Sequence, residues 1–146
     1  MSRKLAREDA FKLIFEMELT AASPQDCINY LAESAENDNE MWAQKSITEN
    51  NLEYITQIVN TVADKKDEID ETISLKLKKW TIDRISKVNL SVLRLAVSEI
   101  LYFDSVPDKV CANEAVELAK KYGGAESAGF INGVIGAILK DKEVKN

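Results

Sequence analysis

The sequence contains no histidine, and it is poor in cysteine, proline and glycine. The absence of histidine removes the commonest general base and metal ligand of proteins. The two cysteines, Cys27 and Cys111, match no spacing typical of a metal or redox site, which favours two buried thiols in a reducing compartment. No apolar run approaches the roughly 20 residues that a membrane-spanning helix needs. These absences speak against a metalloenzyme, a disulfide scaffold and a membrane protein.

The first residues also lack the features of a targeting segment. The stretch MSRKLARED has no apolar run before a small-residue cleavage site, so we expect no signal peptide and a cytoplasmic location. An apolar content of 45% over 146 residues is typical of a globular chain. This length suits one domain, or two small ones that share a core.

The net charge of −6 is distributed unevenly along the chain. Residues 76–94, named here the central basic island, contain six basic side chains and one acidic side chain. Residues 1–15 contain four basic and two acidic side chains. Exposed charges act over about 10 Å at moderate salt, so these two regions could attract a polyanion despite the negative total. The alternative is a solvated helix face that carries ordinary lysines.

Apolar residues recur at helical spacing along the chain, and no strand-like alternation competes with them. The pattern predicts an all-α fold of about seven helices. A change of charge and spacing places a boundary between subdomains 1–80 and 81–146, which together form one domain. Helix ends are predicted from local signals, namely Ser23-Pro24, a capping box over Ser46–Glu49, Thr81 or Asp83 as a cap, the break at Pro107, and Gly123-Gly124.

All five glycines lie in the last 24 residues, and three of them, Gly129, Gly133 and Gly136, follow one side of the last predicted helix. A glycine in a helix interior costs roughly 1 kcal/mol relative to alanine, so the stripe needs a reason. Tight packing in the protein's own core is one explanation. Close approach of a partner protein or a ligand is the other. Asn132 flanks the stripe and could bond a phosphate or a base edge.

Three segments of the sequence carry motifs that match one known family pattern in the same order. Near the start, SRKLAREDAFKLIFEME holds Arg3 and Ala6-Arg7-Glu8; in the middle, WTIDRISKVNLSVLRLAVSEI holds Trp80, Arg84 and Leu93-Arg94. The third, VPDKVCANEAVELAKKYGGAESAGFINGVIGAIL, holds Asn113-Glu114-Ala115 and Phe130-Ile131-Asn132-Gly133. In order and spacing they resemble the NusB family of bacterial transcription antitermination factors over nearly the full chain. Leu5 and Gly136 depart from the family pattern, in which a cation and an acid are common.

The resemblance implies an all-helical protein of two small helical subdomains without catalysis, cofactor or metal. It implies binding to the boxA segment of leader RNA, a single strand, together with a small-subunit ribosomal protein that acts as NusE. The complex would join RNA polymerase and favour antitermination, notably in ribosomal RNA operons.

Candidate RNA contacts follow from the resemblance and from the chemistry of single strands, which needs cations for phosphates and flat surfaces for bases. The candidates are Arg3, Lys4, Arg7, Phe15, Lys76, Lys78, Lys79, Phe130 and Asn132. Two alternatives stay open. The two phenylalanines could belong to the core, and Arg7 could support the fold.

Candidate contacts to the protein partner lie in the C-terminal part, where an acidic set could meet a basic ribosomal protein. They are Asn113, Glu114, Glu117 and Glu126. A structural role of Asn113-Glu114 in the first turn of a helix is the alternative.

Two other classes compete with an RNA-binding adaptor. Some RNA cytosine methyltransferases carry a NusB-like domain, but this sequence shows no Gly-rich cofactor loop and no catalytic-looking cysteine motif. A helical interaction module, or a homodimer that masks its own RNA face, is the other alternative.

Overall fold

The computed structural model describes residues 3–36 and 49–145, and their regular structure is entirely helical, with six α-helices and one 3-10 turn. The predicted all-α class is confirmed. Most of the predicted capping box, Ser46–Glu49, lies outside the described residues. The chain forms two compact units, Met1–Asp64 and Lys65–Asn146, each described here by itself.

The N-terminal unit consists of three helices, α1 (Arg3–Thr20), α2 (Pro24–Glu36) and α3 (Glu49–Asp64), and each packs against the other two. Their apolar positions recur every three or four residues, so each helix presents one apolar stripe to the others. The buried stripes meet in a core that includes Ala6, Ala10, Leu13, Ile14, Ile28, Leu31, Ile55, Ile58, Val59 and Val62.

The turn between α1 and α2 shows how the local sequence sets the helix ends. Ala21 continues the apolar spacing of residues 4–21, which predicts that it belongs to the first helix. In the structure it instead adopts a left-handed conformation with φ of 58°, and its N–H donates to the Met17 carbonyl at 2.9 Å. This geometry ends α1. The predicted start at Ser23-Pro24 is confirmed, because the Asp26 N–H donates to Ser23 Oγ at 3.1 Å.

The C-terminal unit contains α4 (Lys66–Ser74), a 3-10 turn (Ile82–Arg84), α5 (Lys87–Tyr102) and α6 (Asp108–Lys145). Both α4 and α6 pack against α5. The cap of α5 is Ser86, whose Oγ accepts from the Asn89 N–H at 3.1 Å. Thr81 precedes the 3-10 turn without capping it and donates instead to the Asp83 carboxylate.

Helix α6 follows Pro107 and is interrupted at Gly124, which has φ of 89° and ψ of −177°. The interruption separates segments 108–123 and 125–145, as the glycine pair predicted. A straight helix would place residues 108 and 142 about 51 Å apart. Lys142 Nζ nevertheless donates to Asp108 Oδ1 at 2.9 Å and to the Ile100 carbonyl at 3.1 Å. The two segments therefore fold back into a helical hairpin.

A buried ion pair joins α4 to α5. Arg94 is 6% exposed, and its Nε and Nη2 each donate at 2.9 Å to a different carboxylate oxygen of Asp70. Because α4 packs against α5, the contacts divide the chain between Asp64 and Lys65. The sequence placed the boundary between 80 and 81, where charge and spacing change, but α4 belongs with the elements that follow it.

Both cysteines are buried thiols, as the sequence predicted, and within the described residues neither forms a disulfide. Burial, together with the nearby carboxylates of Glu16 and Asp26, raises the pKa of the Cys27 thiol. A raised thiol pKa lowers the thiolate fraction, which disfavours reactivity at this site.

Gly124→Ala is expected to destabilise the protein by roughly 1–3 kcal/mol, because an L-residue is strained at this φ and ψ. Gly129→Ala is the matched control. A Cβ there meets no described atom within 4 Å, so the better helix propensity of alanine should stabilise by about 0.5–1 kcal/mol. Urea denaturation measures both. Equal effects of the two substitutions would contradict this assignment.

Asp70→Ala is expected to destabilise by roughly 3 kcal/mol, since it removes the carboxylate to which both Nε and Nη2 of the buried Arg94 donate. Glu71→Ala removes a carboxylate from an exposed neighbouring position of α4 and should change the free energy of unfolding by less than about 0.5 kcal/mol. Thermal and urea unfolding of both variants would test this difference, and similar losses would show that the pair contributes little.

Candidate nucleic-acid interface

The structure sorts the cations of the central basic island into paired and unpaired ones. Arg94 is buried against Asp70, and Lys76 Nζ lies 2.8 Å from Asp141 Oδ2. Lys78 and Lys79 are exposed, and within residues 3–36 and 49–145 neither has a charged partner. The charge that an anionic ligand could use is therefore smaller than the sequence count suggests, and it is concentrated just after α4.

Residues 76–80 form one wall of an open groove of about 360 Å³, named here the lysine groove. The opposite wall is the second segment of α6. The residues that line the groove are Lys76, Leu77, Lys78, Lys79, Trp80, Gly129, Phe130, Gly133, Val134 and Ala137. Three lysines and one phenylalanine that the sequence assigned separately thus meet in one place.

A second cavity of about 300 Å³, named here the polar pocket, adjoins the lysine groove and shares Trp80 and Phe130 with it. Its other lining residues are Arg84, Ile85, Ser86, Asn89, Gly123, Glu126 and Ser127. The lining offers hydrogen-bond donors and acceptors of both charges. The two aromatic rings therefore stand between a cationic groove and a mixed polar pocket.

The glycine stripe faces open space. A Cβ built on Gly129, Gly133 or Gly136 meets no atom within 4 Å among the described residues. Tight packing in the protein's own core, the first explanation of the stripe, is therefore wrong for these three positions. Gly129 and Gly133 line the lysine groove, whereas Gly136 does not.

The remaining C-terminal candidates are placed differently. Phe130 is half-buried and lines both cavities. Asn132 is exposed on α6 but lines neither the lysine groove nor the polar pocket. Any contact that Asn132 makes with RNA would have to lie outside these two cavities.

The N-terminal candidates belong to the other unit. The Arg3 guanidinium lies 4.3 Å from the centroid of the Tyr54 ring, and the Arg7 guanidinium lies 5.8 Å from it. Arg7 is only 6% exposed, which favours the alternative that it supports the fold. Lys4 is exposed at the start of α1. Contact of these side chains with RNA stays a prediction.

Phe15 is half-buried on α1 and packs against Phe11, with ring centroids 6.2 Å apart at an angle of 33°. This contact agrees with the core alternative for Phe15. Its use as a base platform remains a prediction that the geometry does not single out.

The candidates for the protein partner are spread over both segments of α6. Asn113 and Glu117 are exposed and Glu114 is half-buried on the first segment, while Glu126 lines the polar pocket on the second. The alternative that Asn113 and Glu114 occupy a first helical turn is wrong, because α6 begins at Asp108. Pro107 accounts for this start, since its carbonyl accepts the N–H groups of Val110 and Cys111.

Among the residues of the two cavities that sequence reasoning missed are Trp80, Arg84 and Asn89. In the sequence, Trp80 stands out only as part of a family motif. A tryptophan directly after two lysines is a signal that could have identified it, because cations next to an aromatic ring suit nucleic acid. Arg84 and Asn89 carry no such signal, since only tertiary packing brings them to the pocket.

Two classes of site receive no support within the described ranges. In residues 3–36 and 49–145 no group of three or more Cys, Asp or Glu side chains is arranged to hold a metal ion. No helix in the same ranges is both long and apolar enough to cross a membrane.

Residues 4–140 match the NusB family. Transcription antitermination protein NusB of Clostridium botulinum is 44% identical over 140 residues, which is 96% of this chain and 99% of that protein. The protein of the same name from Acetivibrio thermocellus is 43% identical over 142 residues, which is 97% of this chain and 91% of that protein.

The fold agrees with these similarities. One chain of a crystal structure of the antitermination factors NusB and NusE in complex with dsRNA superposes with a TM-score of 0.82 at 29% identity, covering 95% of this chain and 96% of that one. The helical scaffold and the family match define a regulatory protein of transcription. The chain belongs to the NusB family.

One buried acid in the N-terminal unit gives a testable pH dependence. Burial raises the pKa of Asp9 from 3.8 to about 6, partly offset by Lys12 and reinforced by Glu8. The folded state therefore holds its proton more tightly than the unfolded state does. Stability should fall as the pH rises from about 4 to about 6, and it should stay level above that range.

Asp9→Asn is expected to remove this decline and to stabilise the protein at pH 7 by up to roughly 3 kcal/mol, the free energy of a shift of about two pKa units. Urea denaturation across this pH range measures the effect. Glu16→Gln, which removes one carboxylate from an exposed position of α1, corrects for net charge. Superimposable pH profiles of the native protein and Asp9→Asn would contradict the assignment.

Proposed function

We propose that this protein is a non-catalytic transcription antitermination factor that binds unpaired boxA-type RNA together with the ribosomal protein that acts as NusE. In this role it joins the antitermination complex of RNA polymerase in the cytoplasm and supports transcription of ribosomal RNA operons. The observation that carries the proposal is the lysine groove, in which Lys78 and Lys79 stand exposed beside Trp80 and Phe130.

The lysine groove suits a nucleic-acid strand for two physical reasons. Exposed ammonium groups release counterions from phosphates, and this release supplies most of the sequence-independent affinity. Exposed aromatic rings can stack on bases of any sequence. Because Lys76 is already paired with Asp141, we assign the phosphate contacts mainly to Lys78 and Lys79.

The aromatic rings favour a single strand over a duplex. Bases within a duplex are stacked on one another, so they offer no free face to a side chain. The structurally similar complex holds double-stranded RNA, and a direct comparison of single-stranded and double-stranded oligomers therefore belongs in any binding experiment.

The N-terminal unit supplies a second group of cations. Arg3 and Lys4 lie at the first residues of α1, where the helix dipole also favours an anion. We assign to these two residues RNA contacts of the N-terminal unit by itself. Arg7 is left to support the fold, since its guanidinium is buried near Tyr54.

The protein partner is assigned to α6 of the C-terminal unit, where three of the four candidates, Glu114, Glu117 and Glu126, are acidic. Asn113 and Glu117 are exposed on the first segment of α6, so both are accessible to a docking protein. Complementary charge would speed and orient docking of a basic ribosomal protein. The similar structure that contains NusE supports a partner of this kind.

The homodimer alternative makes a different prediction for solution size. If a dimer masked the lysine groove, RNA would have to dissociate it before binding. Sizing chromatography with and without single-stranded RNA distinguishes the two, since an adaptor forms a complex with one copy of this chain.

Charge reversal of both Lys78 and Lys79 to Glu tests the lysine groove. We expect affinity for single-stranded RNA to fall about tenfold per lost contact, since charge-assisted hydrogen bonds contribute about 1.5–3 kcal/mol each. The slope of log K against log salt should fall by about two. Fluorescence anisotropy over a range of salt concentrations measures both quantities.

The matched control reverses Lys109 and Lys120, which are exposed and line neither cavity. It changes the net charge by the same amount. If the control weakened RNA binding as much as the groove variant, the groove would be rejected as the site, and binding would reflect net charge alone.

A further inference from the structure

Trp80 occupies an unusual position for the largest side chain of a protein. It is 55% exposed, whereas tryptophan is highly buried on average. It lies in the irregular segment between α4 and the 3-10 turn and lines both the lysine groove and the polar pocket. An aromatic ring held in solvent at the junction of two cavities suits a ligand with a flat face.

Trp80 lies between a cationic side, which suits the phosphate of a nucleotide, and a polar side, which suits the edge of its base. On one side Lys78 and Lys79 are exposed and within the described residues carry no partner. On the other side Arg84, Glu126 and Ser127 offer donors and acceptors. Arg84 and Glu126 carry opposite charges there, so the polar pocket lacks the net positive charge with which the lysine groove attracts a phosphate.

We propose that Trp80, with Phe130, is the platform on which one unpaired RNA base stacks. The phosphates that flank this base lie in the lysine groove, and the base edge points into the polar pocket. This inference rests on the proposed function and adds to it the position and orientation of one nucleotide. Arg84, Glu126 and Ser127 then select among bases, because hydrogen bonds to base edges carry sequence information and phosphate contacts do not.

The open glycine positions fit this arrangement. Gly129 and Gly133 line the groove without any described neighbour near their missing Cβ atoms, so the strand can lie against bare helix backbone. Methyl groups at these positions would narrow the groove. Gly136 is equally open but lies outside the groove, which makes it a matched control.

Intrinsic fluorescence tests the stacking directly. The only other tryptophan of the sequence is Trp42, so the full-length Trp42→Phe variant leaves Trp80 as the single reporter. A short mixed-sequence single-stranded RNA is expected to quench this fluorescence. An abasic oligomer of the same length and charge should bind more weakly and leave the fluorescence nearly unchanged. Binding of the mixed RNA without quenching would overturn the inference.

Substitution of Trp80 gives an independent measurement. Trp80→Ala is expected to bind the mixed RNA about 5- to 150-fold more weakly, the range typical of one stacked base, and Trp80→Phe should recover most of the loss. Neither variant should change affinity for the abasic oligomer. Equal losses for both oligomers would show that Trp80 acts on the groove structure and not on a base.

The glycines supply a readout in which stability and binding move in opposite directions. Gly129→Ala and Gly133→Ala should raise the urea midpoint and weaken RNA binding, while Gly136→Ala should raise the midpoint only. Unchanged RNA binding by all three variants would reject the strand path along α6.

Failure of the native protein to bind any RNA, with or without NusE, would reject the proposed function itself. Binding that depends on Lys78 and Lys79 but not on Trp80 would reject this inference alone.

Discussion

The ion pair between Arg94 and Asp70 determines where the candidate site can form. It is bidentate, with Arg94 buried and Asp70 partly buried, and it fixes α4 relative to α5, the central helix of its unit. Residues 76–80 come shortly after α4, which ends at Ser74. Lys76 then pairs with Asp141 on α6, which holds the same segment against the opposite wall of the groove. Two ion pairs thus position the exposed lysines and Trp80.

The cations of the C-terminal unit divide into those that form ion pairs within the protein and those that can contact a ligand. Arg94 joins α5 to α4, Lys76 joins the segment after α4 to α6, and Lys142 joins the two segments of α6, each through a carboxylate. Lys78 and Lys79 have no such role among the described residues. In the N-terminal unit Arg7 likewise belongs to the fold, since it is buried near Tyr54. A basic residue therefore indicates an anion-binding site only once its ion pairs within the protein are known.

The fold was largely predictable because helices depend on local signals. Apolar spacing, Ser23 as a cap and the glycine pair before the last helix were all read correctly from neighbouring residues. Ala21 was not, because its left-handed conformation follows from the turn that it enters. The site was less predictable. Pairing of Lys76 with Asp141 and the meeting of Trp80 with Phe130 join positions some fifty or more residues apart, and one sequence contains no direct record of such contacts.

The lysine groove has walls that are distant in sequence, one following α4 and the other in the return segment of the α6 hairpin. A ligand that touches both walls binds only while the return segment of α6 packs beside residues 76–80, which is called the closed state here. By mass action such a ligand adds RT ln(1 + [L]/Kd) to the stability of the closed state. Resistance of this unit to proteases and to amide hydrogen exchange would then rise with the concentration of free transcript.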